Sequence, residues 1–291
     1  MLKKVISAIV FALVTLVIVW FGDIVLTCGL IIFAGIAMYE YCDAFKKKGF
    51  RPIYPVMALG LFAFYLAFCY VEGENDATET LRFALLLITV MVLATLALIV
   101  FFHKKITVID GAMSIFGSFY VNGLMMFLLL LRSIGTEGEK WFGFGPRGDG
   151  FYYLVIAVFA TAMADTFAMF GGMLFGKKKL IPEVSPHKTI AGSISAVAGS
   201  TVLTVILGIV FIKTGLLTTL QWFDYLIIGF AVGCVSQIGD LCASAMKRFC
   251  GIKDFGKIIP GHGGVLDRID SHIYVIPVMF FYVIFRLGIA F

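Results

Sequence analysis

Between residues 244 and 270 the chain places five Lys or Arg, three Asp, one His and five Gly in 27 positions. The run reads Ser244-Ala-Met-Lys247-Arg248, then Lys253-Asp254-Phe-Gly256, then Ile-Pro-Gly261-His262-Gly263-Gly264-Val-Leu-Asp267-Arg268-Ile-Asp270. Lysine and arginine hold phosphates as point charges or planar forks. Aspartates are hard oxygen donors for divalent cations. Glycines let backbone N–H groups cradle an anion. Long apolar segments flank the run on both sides, so it points to phosphate and metal chemistry at a membrane surface.

Polar residues elsewhere are sparse and concentrated. Upstream of the run, Gln237, Asp240, Ser244, Lys247 and Arg248 are spaced by threes and fours. On a helix they form one polar stripe that runs out of an apolar span. Asp165 lies in the middle of another span, where an unpaired carboxylate costs roughly 2.5–3.5 kcal/mol. It is expected to face an internal cavity, shared with Asp240, and to contact a cation, water or a side chain such as Gln237. The alternative is a packing hydrogen bond to a neighbouring Ser or Thr. That span ends in Lys177-Lys178-Lys179, a topology determinant or an anion contact. Ser185-Pro-His187-Lys188-Thr189 follows, with Ser185, Lys188 and Thr189 as phosphate-contacting candidates. In the N-terminal half only Glu40 and Asp43 stand out. They read either as interfacial residues paired with Lys46 or Lys47, or, for Glu40, as a residue facing the site.

The elements that must position these residues are transmembrane helices. The chain is 61% hydrophobic with 14% charged residues, against about 25% charged in soluble domains, and its mean hydropathy is +1.02. Apolar stretches near the roughly 20-residue length of a membrane span occur at 2–21, 24–42, 53–71, 82–102, 106–131, 151–174, 190–212, 223–243 and 272–291. The expectation is an all-α, polytopic integral membrane protein with about nine transmembrane helices. It forms one membrane-embedded domain over 1–291, with N-terminal helices over 1–105 and the site-bearing helices and loops over 106–291. The first stretch reads as a retained helix, because no small-residue cleavage site follows it.

Charge gives the orientation. Most of the 23 basic residues fall in alternate connections: Lys3 and Lys4; Lys46, Lys47, Lys48 and Arg51; Lys104 and Lys105; Lys177 to Lys179 and Lys188; and Lys247, Arg248, Lys253, Lys257 and Arg268. The acidic stretch Glu72, Glu74, Asp76 and Glu79 lies on the other side. The positive-inside rule then predicts a plasma (inner) membrane protein with a cytoplasmic N-terminus and an external C-terminus. The polar run faces the cytoplasm. The six cysteines read as small buried hydrophobes, since none forms a CxxC pair.

The run from Ser244 to Asp270 resembles the signature of the phosphatidate cytidylyltransferases (CDP-diacylglycerol synthases) at every restricted position. Gln237-Ile-Gly239-Asp240 resembles that family's Q-x-G-D element. Asp165 through Lys177 resembles its D-x-x-A-y-x-x-G-x-x-F-G-K stretch, with Met169 where an aromatic is common. Ser185-Pro-His187-Lys188-Thr189-Ile-Ala191-Gly192 resembles its S-P-K-K-T-x-E-G element, with His187 replacing a lysine and Ala191 a glutamate. The resemblance covers about residues 160–272.

The resemblance implies a homodimeric enzyme in phospholipid biosynthesis that joins CTP to phosphatidic acid, with membrane lipids and not nucleic acid as its surroundings. A phosphatidate oxygen would attack the α-phosphorus of CTP and pyrophosphate would leave. Such a reaction runs on positioning and electrostatics. Mg2+ is the implied cofactor, with Asp240, Asp267 and Asp270 as ligands; a second, monovalent cation such as K+ is implied by the resemblance alone. Lys247, Arg248, Lys253 and Arg268 would hold phosphates. Asp254 and His262 complete the catalytic candidates, His262 as proton carrier or hydrogen-bond donor. Gln237, Ser244, Gly263 and Gly264 join Ser185, Lys188 and Thr189 as substrate-binding candidates. Two other readings are a lipid or polyprenol kinase, which would release a nucleoside diphosphate, and a transporter, which would place polar residues near the midplane of several spans.

Overall fold

The computed structural model describes residues 15, 17–71, 77–135, 148–259, 261 and 263–288. The chain divides into two compact units. One comprises Met1–Leu130 with Phe249–Arg268 and Phe291, the other Leu131–Arg248 with Ile269–Ala290.

The first unit holds α1 (Asp23–Lys47), α2 (Tyr54–Val71), α3 (Ala77–Phe101), α4 (Val108–Ser118) and a π-helical turn (Phe119–Gly123), together with most of α5 (Leu124–Ser133). Small residues let these helices approach closely: a β-carbon at Gly117 would lie 2.8 Å from the terminal carbon of Met57. Polar groups at the helix ends are satisfied locally. Thr107 and Asp110 form a reciprocal capping box at the start of α4. Asp110 also accepts the Arg51 N–H, and Ser114 Oγ accepts the Ile53 N–H at 2.7 Å. These bonds put the basic 48–53 and 102–107 connections at one end of this unit. In the π turn, Asn122 Nδ2 donates to the Met57 carbonyl at 3.1 Å, so the local unwinding serves a buried amide.

The second unit holds α6 (Gly148–Phe175), a hairpin of β1 (Lys179–Ile181) and β2 (Ser185–Thr189), α7 (Ile190–Thr214) and α8 (Trp222–Phe249) up to Arg248. It also holds α9 (Leu266–Leu287) from Ile269 onward. The two strands pair antiparallel, Lys179 with Thr189 and Ile181 with Ser185. Apolarity alone supplies little attraction between helices in lipid, so close backbone packing must. At Gly233 of α8, for example, a β-carbon would lie 2.8 Å from the Val197 Cα of α7. Far from the hairpin, Asp224, fully buried, accepts hydrogen bonds from Tyr282 Oη at 2.7 Å and Arg286 Nε at 2.8 Å.

The protein is an all-α membrane protein carrying one small hairpin. Six described segments are long and apolar enough to cross a membrane: Val25–Lys47, Val108–Ser133, Gly148–Phe175, Ile190–Thr214, Trp222–Phe249 and Leu266–Leu287. They match the expected stretches at 24–42, 106–131, 151–174, 190–212, 223–243 and 272–291. The stretches at 53–71 and 82–102 fall on α2 and α3. The expected span at 2–21 lies almost wholly outside the described residues. The cysteines whose side chains are described are all free.

Candidate functional site

Polar chemistry gathers in each unit separately. In the second unit it lies on the last three turns of α8, which stays helical through Arg248. Lys188, on β2, places its Nζ 2.6 Å from Asp240 Oδ2. Ser244 Oγ, one turn further along α8, donates to Asp240 Oδ1 at 3.4 Å. One turn earlier, Gln237 Nε2 donates to the Gly233 carbonyl at 2.6 Å and the Ser193 carbonyl at 3.3 Å, while the Ser193 hydroxyl donates to Gln237 Oε1. Lys247 is buried, and Arg248 Nε reaches the Val184 carbonyl at 3.4 Å. The hairpin is therefore fastened to the polar stripe at two points.

Thr189 has a structural task. Its hydroxyl accepts the Gly192 N–H at 3.1 Å and so caps α7. Ser185 is half-buried in β2, and His187 is exposed beside it. Asp270, buried on α9, accepts the Ser271 N–H at 2.7 Å, and a β-carbon at Gly239 would lie 2.8 Å from the Asp270 carbonyl. Asp165 is exposed on α6.

In the first unit the polar run forms a tight loop. Asp267, in the first turn of α9, accepts the Phe255 N–H at 2.8 Å and the Gly264 N–H at 2.9 Å through one oxygen, Oδ2. The Ile259 N–H donates to the Gly263 carbonyl at 2.9 Å. Gly261 and Gly263 have φ of 80° and 83°, which side chains rarely tolerate. Lys253, Asp254, Lys257 and Arg268 are exposed, and His262 lies outside the described residues. A cavity of about 560 Å3 is lined by Tyr39, Glu40, Asp43 and Lys47 of α1 and by residues 252–258 of the loop. At the loop's start, burial pushes the Cys250 thiol up, and the charges of Lys48 and Lys47 only partly offset it.

Sequence reasoning left Glu40 ambiguous. Asp43 takes the ion pair, with Lys47 at 2.6 Å. Glu40 is instead 2% exposed and accepts the Val265 N–H at 3.1 Å and the Leu266 N–H at 2.9 Å. Its signal in the sequence was an ionisable residue inside an apolar span.

No group of three or more His, Cys, Asp or Glu side chains is arranged to hold a metal among the described residues. By donor type Asp240, Asp267 and Asp270 suit a hard divalent cation. Asp240 already has a cation in Lys188 and would exchange it for a metal.

A profile of the cytidylyltransferase family matches residues 2–285. The chain is 28% identical to the phosphatidate cytidylyltransferase of Bacillus subtilis strain 168 over 281 residues, 97% of each chain. It is 29% identical over 279 residues to that of Synechocystis, covering 89% of this chain and 88% of the relative. With the Staphylococcus haemolyticus protein of the same name, identity is 37% over 150 residues, 51% of this chain and 56% of the other.

Proposed function

The chain belongs to the cytidylyltransferase family, and on that premise we propose that it joins CTP to phosphatidic acid, giving CDP-diacylglycerol and pyrophosphate. The observation that carries this is the end-to-end likeness to a phosphatidate cytidylyltransferase, 97% of both chains. A phosphatidate oxygen forms a bond to the α-phosphorus of CTP, the bond from that phosphorus to the β-phosphate oxygen breaks, and pyrophosphate leaves with its electrons. Both reactants are anions, so the residues must neutralise repulsion and hold the reactants in line.

Each unit offers cations and N–H donors for this. Lys247, Arg248 and Lys188 are assigned to phosphate oxygens in the second unit, and Lys253, Lys257 and Arg268 in the first. Asp240, Asp267 and Asp270 are assigned singly as Mg2+ ligands. Mg2+, when bound, would stabilise charge on the leaving phosphates. A phosphate monoester is largely ionised at neutral pH, so no strong general base is required, and His262 is assigned a hydrogen bond. The site is assigned to the cytoplasmic face of the inner membrane, where nucleoside triphosphates are, and the working form is assigned as a homodimer. His187 and Ala191, at the hairpin and the start of α7, distinguish this chain's contacts from the S-P-K-K-T-x-E-G pattern.

The deciding experiment incubates purified protein with CTP labelled in the cytosine ring, phosphatidic acid and Mg2+, then extracts the lipid. Label in the lipid with release of pyrophosphate is the expected result. Release of a nucleoside diphosphate without lipid label indicates a kinase, and no turnover with substrate accumulation in vesicles indicates a transporter.

A further inference from the structure

We propose that Glu40 is a positioning residue for the loop from Phe255 to Asp267: its two carboxylate oxygens fix where α9 begins and so set the register of the loop's phosphate-facing groups. A carboxylate in a membrane-spanning helix needs compensation. Lys47, two turns along α1, is paired with Asp43 instead. Glu40 instead spends one oxygen on the Val265 N–H and the other on the Leu266 N–H. Those donors belong to the start of α9, where helical backbone leaves N–H groups without partners and the helix dipole favours negative charge.

The glycines of the loop give independent support. Gly261 and Gly263 are required by their positive φ. Gly256 and Gly264 have no such conformation, yet a β-carbon at either would collide with the Glu40 carboxyl group. These two glycines clear space for one side chain arriving from α1. Asp267 ties the same loop from the other side, through the Phe255 and Gly264 N–H groups. Lys253 and Asp254 line the same cavity as Glu40, so displacing the carboxylate moves the cavity wall that bears them.

The inference rests on the loop's serving cytidylyl transfer, and its test separates the two. Full-length Glu40→Gln, Glu40→Asp, Gly264→Ala and Glu40→Asp/Gly264→Ala proteins are compared with the parent in nanodiscs. Turnover is measured per folded molecule, and amide hydrogen exchange is followed over 255–268. Gly264→Ala and Glu40→Gln should each lower kcat by about 100-fold, as ångström-scale misplacement does, with faster exchange at Val265 and Leu266. The shorter Asp leaves room for the new methyl, so Gly264→Ala should cost clearly less kcat per folded molecule in the Glu40→Asp background, a non-additivity that two independent lesions would not give. Folded Gly264→Ala and Glu40→Gln proteins with parental kcat and exchange would overturn the proposal, as would strict additivity. If the parent protein makes no CDP-lipid, the functional reading fails, and the exchange rates at Val265 and Leu266 still decide whether Glu40 sets the loop.

Discussion

Lys188 Nζ and Asp240 Oδ2 are 2.6 Å apart, so the phosphate-binding candidate of the hairpin and the foremost metal-ligand candidate of α8 neutralise one another. Each is partly exposed, and such a pair is worth about 1 kcal/mol. That is weak enough to yield to a divalent cation or a phosphate.

Replacing Lys188 by Met should therefore have two opposite effects. The Mg2+ concentration giving half-maximal activity should fall, by about fivefold if the pair contributes about 1 kcal/mol. The KM for CTP or phosphatidic acid should rise, because a phosphate partner is lost. A Mg2+ titration at saturating substrate and a substrate titration at saturating Mg2+ check the two separately. No change in either would exclude Lys188 from the site.

Asp240→Asn and Asp267→Asn should both remove most activity, but Asp267→Ala should do more. The Asn carbonyl oxygen can still accept the Phe255 and Gly264 N–H groups, whereas Ala orphans two buried donors at about 1–3 kcal/mol each. Limited trypsin cleavage at Lys253 and Lys257 should be accelerated in Asp267→Ala and near normal in Asp267→Asn. Asp240→Asn should leave cleavage there unchanged and raise the Mg2+ requirement of any residual activity. Near-normal turnover at ordinary Mg2+ would remove the substituted residue from the list of ligands.

Arg268 is exposed in the first turn of α9. Lysine keeps its charge but not its planar fork. Arg268→Lys should raise the KM for one substrate or lower kcat, according to whether the contact forms with the substrate or only in the transition state. Both constants unchanged would rule out a bidentate phosphate contact.

For orientation, Lys257→Cys and Asp76→Cys are introduced singly into a background lacking the native cysteines. An impermeant thiol reagent added to whole cells should label Asp76→Cys and spare Lys257→Cys until the membrane is opened. The reverse pattern would invert the proposed topology.

Much of the site was legible in the chain itself. The stripe Gln237, Asp240, Ser244 required only helical periodicity, and α8 continues to Phe249. Gly261 and Gly263 were legible as loop glycines, and both have positive φ. What sequence could not show is partnership across distance. Glu40 and Leu266 are 226 residues apart, and nothing local at either predicts the other. Nor could it show that the Thr189 hydroxyl, a substrate-contact candidate, also caps α7. It also missed the hairpin, because Lys179–Ile181 is too short to establish a strand's alternation. Six of the apolar runs correspond to segments long enough to cross a membrane.

The bond between Glu40 and the start of α9 also fixes an order of events during synthesis. The ribosome delivers about 5–20 residues per second, and the Glu40 acceptor precedes the Val265 donor by 225 residues. For roughly 11–45 seconds α1 lies at the membrane with a carboxylate whose native partners have not been made. Closing this clasp requires the start of α9 to be made, and Tyr282 and Arg286, the donors to Asp224, are made later still. A nascent chain that stalls before Val265 has made neither of the N–H donors that Glu40 accepts in the finished molecule.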